Sequence, residues 1–194
     1  MILSERFSDA LTYANELHRE QWRKGTKIPY VSHLLAVAGL VLEHGANEDE
    51  AIAAVLHDAA EDCGGSEQLE QIRRRFGDRV AAIVEGCSDS LAADPRDKEH
   101  WHDRKERYQA RLRESNDSSV LLVSAADKLH NARHTLADVR RLGPEVWGRF
   151  SGGRDGSLRN YTRLLDVYRD SQDRRVQQLL LELEPVVKNL SELQ

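Results

Sequence analysis

The chain has 194 residues, of which 40% are hydrophobic and 31% are charged, and its formal net charge is −5. This composition is typical of a folded protein, and the length suffices for one domain with its own core. The acidic balance argues against a broad nucleic-acid-binding face, although a few local cations would still bind a small anion.

Targeting and membrane segments are not apparent. The N-terminal residues lack the basic and apolar parts of a signal peptide, and no apolar run reaches the roughly 18 residues that a membrane helix needs. The two cysteines, Cys63 and Cys87, suggest neither a disulfide framework nor a zinc-binding pattern. We therefore expect a cytoplasmic protein without membrane or nucleic-acid partners. The sequence does not specify an oligomeric state and is compatible with a homo-oligomer.

Helical periodicity runs along the whole chain and predicts an all-α fold of about nine helices, in a single domain over residues 1–194. In chain order the predicted helices cover about 5–20, 33–42, 48–63, 66–75, 78–87, 96–113, 118–136, 157–170 and 173–192. The segments 21–30, 88–97 and 141–156 are predicted loops.

Three polar residues predict helix starts. Asn47, with Glu50 three residues later, indicates a capping box at the third helix. Ser66 is the expected cap of the fourth helix, and Asp117 is the expected cap of the long apolar helix that follows it.

One string near the end of the third predicted helix combines a histidine with three carboxylates. In a continuous helix, His57 and Asp58 would meet one ion between them, and Glu61 and Asp62 would lie on the same side of the last two turns. Carboxylates are unfavourable at a helix C-terminus, by roughly 0.3–1 kcal/mol each, and the preceding apolar segment indicates a buried helix. A bound cation would resolve this conflict, and the alternative is a solvated acidic helix end.

Two further residues are unusual in their positions. His33 begins the second predicted helix, where it is either a metal ligand or an ordinary cap or packing residue. Asp127 follows an apolar segment, and a carboxylate buried there needs a metal or a basic partner from another helix. Together with His57 and Asp58 these residues would make a mixed nitrogen–oxygen site, which suits Mn²⁺, Fe²⁺, Zn²⁺ or Ni²⁺.

The order H…HD…D of these four residues resembles the pattern of the HD-type metal-dependent phosphohydrolases. The flanking sequence is similar to a narrower group, the (p)ppGpp hydrolase domains of RelA/SpoT-type proteins and the free-standing small alarmone hydrolases. The dipeptide HD alone is weakly specific, but its combination with an upstream RKG and PY segment and a downstream DKLHN segment is specific. The matching segments, within about residues 7–135, are YANELHREQWRKGTKIPYVSHLLAVA, AAVLHDAAED, FGDRVAAIVEGCSD and SAADKLHNAR.

The resemblance implies a helical bundle of the HD type with one metal ion, usually Mn²⁺, held by the four candidate ligands. It implies that Glu61 and Asp62 position and activate the water that attacks a 3′-diphosphate. Arg23 would stack on the base and Lys24 would lie near phosphate, which suits a flat guanidinium and a compact ammonium. Asn131 would contact the nucleoside. The alternatives are an exposed basic pair at 23–24 and an ordinary polar helix residue at 131.

The chain departs from the family pattern at several points. Leu34 stands where family members commonly have proline, and His134 occupies a position that often holds a substrate-contacting threonine. His134 is therefore a further candidate for substrate contact. The C-terminal third of the chain, which includes the segment 147–165, is not matched to the ppGpp-specific group. These departures leave the metal chemistry intact and bear on the preference for base and phosphate.

The leading functional hypothesis is metal-dependent hydrolysis of (p)ppGpp to GDP or GTP plus pyrophosphate, with a small-molecule nucleotide as the partner. Adenosine alarmones, which His134 would favour, and the 2′-phosphate of NADPH are alternative substrates for the same site. A nucleoside monophosphate phosphatase of the HD type and a non-catalytic nucleotide-binding module are more distant alternatives. The module would lack a ligand or the Glu61–Asp62 pair, and this chain keeps all of them.

Overall fold

The computed structural model describes residues 2–193 and divides into two compact units, one ending at Glu99 and the other beginning at His100. Within residues 2–193 there are ten α-helices and two short 3₁₀ helices, and the only strand-like pairing is an isolated bridge between Trp22 and Pro29. The predicted all-α class is confirmed, whereas the single domain over 1–194 stays a prediction. None of the described helices is both long and apolar enough to cross a membrane.

Six helices and a short 3₁₀ helix form the first unit. They are α1 (Glu5–Leu17), α2 (Val31–Glu43), α3 (Glu48–Leu56), α4 (Ala59–Asp62), α5 (Gly65–Phe76), α6 (Asp78–Cys87) and the 3₁₀ helix Pro95–Asp97. Helix α3 is the core of this unit, because it packs against α1, α2 and α6 and its residues 51–56 are buried. Its start is the predicted capping box. The Asn47 side chain accepts from the Glu50 amide at 3.0 Å, and the Glu50 carboxylate accepts from the Asn47 amide at 2.7 Å.

The prediction of one continuous helix over 48–63 is wrong at His57 and Asp58, where α3 and α4 are separated. Both residues keep right-handed backbone angles, but Asp58, at φ −95° and ψ −8°, has moved towards the bridge region. Their side chains have partners that compete with a regular helix. His57 Nδ1 lies 2.8 Å from the Ala54 carbonyl oxygen, and the Tyr30 hydroxyl donates to Asp58 Oδ2 at 2.6 Å. This interruption accounts for the tenth helix.

Helix α5 begins at Gly65, whose φ of +62° lies in the left-handed region. A Cβ atom at this position would lie 2.3 Å from the carbonyl oxygen of Leu91. The amide of Ser66 donates to the same carbonyl at 3.2 Å, so Ser66 lies inside the first turn and does not cap the helix as predicted. The absence of a side chain at Gly65 therefore lets the chain after α6 lie directly against the start of α5.

The second unit contains α7 (Trp101–Ser115), α8 (Ser118–Leu142), the 3₁₀ helix Pro144–Arg149, α9 (Gly153–Arg169) and α10 (Arg174–Glu192). Helix α8 packs against α9, α10 and the 3₁₀ helix, and Asp117 caps it as predicted by accepting from the amides of Ser119 and Val120. The predicted loop 141–156 is shorter in the structure, because α8 continues to Leu142 and α9 begins at Gly153.

Candidate metal centre and surrounding residues

Three of the four predicted ligands converge in the first unit. His33 lies in the first turn of α2, and His57 and Asp58 form the interruption between α3 and α4. Asp58 Oδ2 lies 3.0 Å from His57 Nε2 and 3.5 Å from His33 Nε2, and the ligand atoms of all three residues lie within 4.8 Å of one another. Both imidazoles are buried and the Asp58 side chain is partly exposed.

Hydrogen bonds orient this cluster from outside. The Ala54 carbonyl oxygen accepts hydrogen bonds only, so His57 Nδ1 carries a proton, and in the neutral imidazole Nε2, which lies 3.0 Å from Asp58 Oδ2, is the nitrogen that can bind a metal. The Tyr30 hydroxyl donates to Asp58, and the Tyr30 ring contacts His33 edge-on at 5.6 Å between ring centroids. Metal-binding histidines and carboxylates are commonly held by such outer contacts. Two imidazoles and a carboxylate that converge in this way fit a divalent transition metal ion.

The two predicted catalytic carboxylates have different partners. Glu61 Oε1 lies 3.4 Å from the Lys98 ammonium, and Glu61 Oε2 accepts from the Asp89 amide at 3.2 Å. Asp62 Oδ2 accepts from Gln21 Nε2 at 2.7 Å. A cation therefore holds Glu61, whereas a neutral amide holds Asp62.

The electrostatic environment disfavours negative charge around Asp62. Although this residue is exposed as a whole, neighbouring protein atoms remove water from its carboxylate, which raises its pKa, and the Asp58 carboxylate raises it further. Burial raises the pKa of the adjacent Cys63 thiol to about 11, with Asp62 and Asp58 contributing. For both groups burial is the larger cause of the raised pKa, and the neighbouring carboxylates add to it.

The predicted basic pair lies in the ordered loop before α2. The amide of Arg23 donates to the Ile28 carbonyl at 2.8 Å, and the amide of Tyr30 donates to the Gln21 carbonyl at 2.9 Å. The Arg23 guanidinium lies 5.7 Å from the centroid of the Tyr30 ring, and Lys24 is exposed. Since Tyr30 also contacts Asp58, the loop links Arg23 to the candidate metal ligands.

Asp127, the fourth predicted ligand, is a buried residue of α8 in the second unit. Its carboxylate forms a close ion pair with Lys128 and accepts from Asn131 Nδ2 at 2.5 Å. Burial opposes the charge of Lys128, but Asp127 together with Tyr108 and Tyr168 outweighs it and raises the pKa of the ammonium well above its ordinary value. The basic partner anticipated from another helix therefore comes from the same helix. Whether Asp127 joins the three ligands of the first unit stays a prediction.

The remaining predicted substrate residue, His134, also lies on α8. Its Nε2 lies 3.6 Å from Asp138 Oδ2, and its ring is stacked with that of His130. Asp138 is buried and accepts from Arg141 at 2.8 Å and Arg149 at 2.7 Å. Burial alone would raise the pKa of Asp138, but these two hydrogen bonds lower it below the ordinary value. Substrate contacts of Asn131 and His134 stay predictions.

Four residues that contact the site were not among the sequence-based candidates: Tyr30, His18, Gln21 and Lys98. Tyr30 and Gln21 flank the RKG segment, and the spacing of His18 and Gln21 allows a local contact. These positions are therefore a weak indication in the sequence that the three residues lie near the site. Lys98 lies in a loop 37 positions from Glu61, and no spacing rule connects them.

The fold and the convergent histidines and carboxylate define an all-α protein with a candidate metal centre of imidazole and carboxylate ligands. The chain belongs to the HD domain family, whose model matches residues 10–158. That match extends across the boundary between the two compact units.

Relatives share this family over much of the chain. Guanosine-3′,5′-bis(diphosphate) 3′-pyrophosphohydrolase MESH1 of Xenopus tropicalis is 35% identical over 142 residues, which are 72% of each protein. A probable guanosine-3′,5′-bis(diphosphate) 3′-pyrophosphohydrolase of Synechocystis is 36% identical over 124 residues, which are 64% of this chain. The match spans only 16% of the Synechocystis protein and 18% of a relative from Aquifex aeolicus.

Solved structures agree with the fold. A metazoan ortholog of SpoT, described as hydrolysing ppGpp, matches with a TM-score of 0.76 and 27% identity, covering 97% of each chain. A Listeria monocytogenes protein matches with a TM-score of 0.69 and 25% identity, covering 85% of this chain and 99% of its own.

Proposed function

We propose that this protein hydrolyses the 3′-diphosphate of guanosine alarmones, converting ppGpp to GDP and pppGpp to GTP with release of pyrophosphate. The observation that carries the proposal is the convergence of His33, His57 and Asp58 within 4.8 Å. Support for the substrate comes from MESH1, which is 35% identical over 72% of this chain and bears the name of this activity.

The metal in this proposal is one divalent ion, Mn²⁺ in preference to Fe²⁺, Zn²⁺ or Ni²⁺. His33, His57 and Asp58 hold it, with Asp127 as the fourth ligand. When bound, such an ion polarises the phosphoryl group and lowers the pKa of water.

Glu61 and Asp62 act on the attacking water. A new bond forms between the water oxygen and the phosphorus atom attached to the ribose 3′ oxygen, and the bond from that phosphorus to the 3′ oxygen breaks. A carboxylate accepts a proton from the water and then passes it to the 3′ oxygen, which leaves as a hydroxyl. The two carboxylate oxygens of Glu61 contact Lys98 and the Asp89 amide, whereas Asp62 accepts from a neutral donor.

The loop before α2 supplies the contacts to the nucleotide. Arg23 stacks on the base, and Lys24, which is exposed, pairs with phosphate. Asn131 contacts the nucleoside, and His134 is a further substrate contact. The two cysteines, Cys63 and Cys87, are free thiols, which is consistent with the cytoplasm as the proposed compartment.

The metal site is tested by elemental analysis after manganese loading. In His57→Ala, manganese affinity should fall by more than about 100-fold, since loss of even an outer partner of a ligand costs about 10–100-fold. His44→Ala is the matched control, because His44 Nδ1 also lies 2.8 Å from a backbone carbonyl, that of Leu40, but His44 is outside the cluster. Equal manganese content in the two variants would refute the site.

The substrate is tested with the manganese-loaded protein and a panel of ppGpp, ppApp, NADPH and AMP. Release of pyrophosphate and GDP from ppGpp, faster than turnover of the other three, is the expected result. Preference for ppApp or NADPH would keep the reaction type and correct the substrate. Phosphate release from AMP without cleavage of ppGpp would contradict the proposal, as would no turnover at all.

A further inference from the structure

Asp62 is oriented by two residues of the segment that follows the body of α1. Gln21 Nε2 lies 2.7 Å from Asp62 Oδ2, and His18 Nδ1 lies 2.6 Å from Gln21 Oε1. An ionised carboxylate only accepts hydrogen bonds, so the Gln21 amide nitrogen must face Asp62. The amide oxygen then faces His18, whose Nδ1 carries the proton. The hydrogen bonds run in one direction, from His18 through Gln21 to Asp62.

His18 is a rigid anchor for this arrangement. Only 2% of the residue is exposed, and its ring is stacked on that of Tyr30, with centroids 5.1 Å apart and planes 22° from parallel. The Cys63 sulfur lies 3.8 Å from its Nδ1 on another side. Because packing restricts the imidazole, the glutamine that accepts from it has few alternative rotamers.

The same histidine supports both sides of the site. Tyr30, on which His18 is stacked, donates to Asp58 at 2.6 Å, while Gln21 donates to Asp62. The buried His18 ring therefore contacts both donors: Tyr30, which donates to the candidate metal ligand Asp58, and Gln21, which donates to the candidate catalytic residue Asp62.

The chemistry of the donor also matters. Lys98, which pairs with Glu61, carries a positive charge that partly neutralises that carboxylate. Gln21 is neutral, so it fixes the direction of Asp62 without cancelling its charge. The hydrogen bond from Gln21 lowers the pKa of Asp62, but burial and the Asp58 carboxylate outweigh it, so the carboxylate keeps its ability to accept a proton from water.

We propose that Gln21, anchored by His18, is a positioning residue that holds Asp62 in the orientation needed to accept a proton from the attacking water. The inference rests on the proposed hydrolysis of ppGpp and assigns to these two residues a part in it. Neither residue needs to touch the substrate.

The test is a double-mutant cycle between Gln21→Leu and Asp62→Asn, with ppGpp turnover measured in manganese. Gln21→Leu should lower kcat by about tenfold to a hundredfold, since a misplaced catalytic group has an effect of this size. KM should stay within about twofold, because a residue that acts only through Asp62 does not contribute to ground-state binding. In the Asp62→Asn background the same substitution should lower kcat by less than about twofold.

A second variant and a control complete the test. Gln21→Glu still accepts from His18 but, when ionised, cannot donate to Asp62, so it should lose at least as much kcat as Gln21→Leu. If a thermal melt shows that Gln21→Leu does not fold, Gln21→Glu replaces it in the test. Gln71→Leu is the matched control, because it deletes a glutamine hydrogen bond to Tyr13 elsewhere in the same unit.

The outcomes separate the inference from the proposed function. No ppGpp turnover by the wild-type protein refutes the proposed function, and the inference fails with it. If the wild-type protein turns over ppGpp, normal kcat in a folded Gln21 variant overturns the inference alone. An equal loss in the Asp62→Asn background, or a loss confined to KM, also overturns it.

Discussion

In the first unit, the apolar helix α3 is followed by His57, Asp58, Glu61 and Asp62, and the helix is interrupted there. In the second unit, the apolar half of α8 is followed by Asp127, and the helix continues without interruption to Leu142. The two segments have similar sequence patterns, an apolar run and then acidic residues.

The two segments treat negative charge in opposite ways. Asp127 is balanced within its own helix by the adjacent Lys128 and by Asn131. Asp58 and Asp62 repel each other, and the donors that hold them, Tyr30 and Gln21, are neutral. The difference is that Asp127 has a cation beside it in the same helix, whereas Asp58 and Asp62 accept hydrogen bonds from neutral side chains.

The largest expected effect concerns the first segment. Glu61→Gln combined with Asp62→Asn should lower ppGpp turnover more than about 100-fold, because general acid–base assistance contributes about 10²–10⁴ in rate. Thermal stability should stay equal or rise, because the change removes like-charge repulsion at Asp62. Asp9→Asn with Glu16→Gln, exposed residues of α1, is the control. Full activity would contradict the catalytic assignment, and unfolding would indicate a structural role.

In the second segment, removal of charge should have the opposite effect on stability. Lys128→Met leaves Asp127 buried without its cation, which should lower the free energy of unfolding by about 3–5 kcal/mol. Manganese should restore part of the loss if Asp127 is the fourth ligand. Urea unfolding measures both effects, with the exposed Lys188→Met as control. A loss below about 1 kcal/mol would mean that the ion pair is not needed to hold Asp127.

Acid titration of the metal-free protein sharpens the contrast. The pKa of Asp138 in the second unit is lowered by Arg141 and Arg149, so its contribution to stability is present above the unfolded pKa and is lost as pH falls through the folded pKa. Asp138→Asn should therefore lose about 1–3 kcal/mol at pH 7, from hydrogen bonds to charged groups, and the deficit should shrink in acid.

The contribution of Asp62 to stability should depend on pH in the opposite direction. Its pKa is raised, so the ionised side chain destabilises the folded state at neutral pH, and this penalty disappears as pH falls through the folded pKa. Asp62→Asn should be more stable than wild type at pH 7 and should lose that advantage in acid. Urea midpoints between pH 3 and 7 measure both variants, and parallel curves for the two would refute the contrast.

The smallest effect concerns substrate binding next to the first segment. Lys24→Ala should raise KM for ppGpp about five- to tenfold and change kcat less, because one charge-assisted contact contributes about 1–1.5 kcal/mol in ground and transition states alike. Lys27→Ala, in the same loop and also exposed, is the control. Equal KM values for the two variants would place Lys24 on the ordinary surface.

The features that sequence predicted well depend on neighbouring residues. The capping box of Asn47 and Glu50 and the cap at Asp117 each need only three or four consecutive positions, and both are present. The interruption at His57 and Asp58 was not predicted, because it involves the Tyr30 hydroxyl, 28 positions from Asp58, in addition to local periodicity.

The same limit applies to the site. His33, His57 and Asp58 were selected by residue type and by a family resemblance, and they converge in the structure. The partners of the carboxylates were not predicted, since Gln21 and Lys98 lie 41 and 37 positions from Asp62 and Glu61. The close packing at Gly152 was not predicted either. This residue lies in the predicted loop, directly before α9, and a Cβ there would lie 2.5 Å from the Trp101 ring.

Gly65 shows how tolerance to mutation can be set away from the reacting groups. Any side chain at this position would displace the backbone at Leu91, and the segment that begins there continues to Lys98, the cation that holds Glu61. A library that scores hydrolysis should therefore reject Gly65→Ala even though alanine is small and favours helices. The intolerance of this position would then be measured as a loss of catalysis, although its direct cause is a steric clash with the Leu91 backbone.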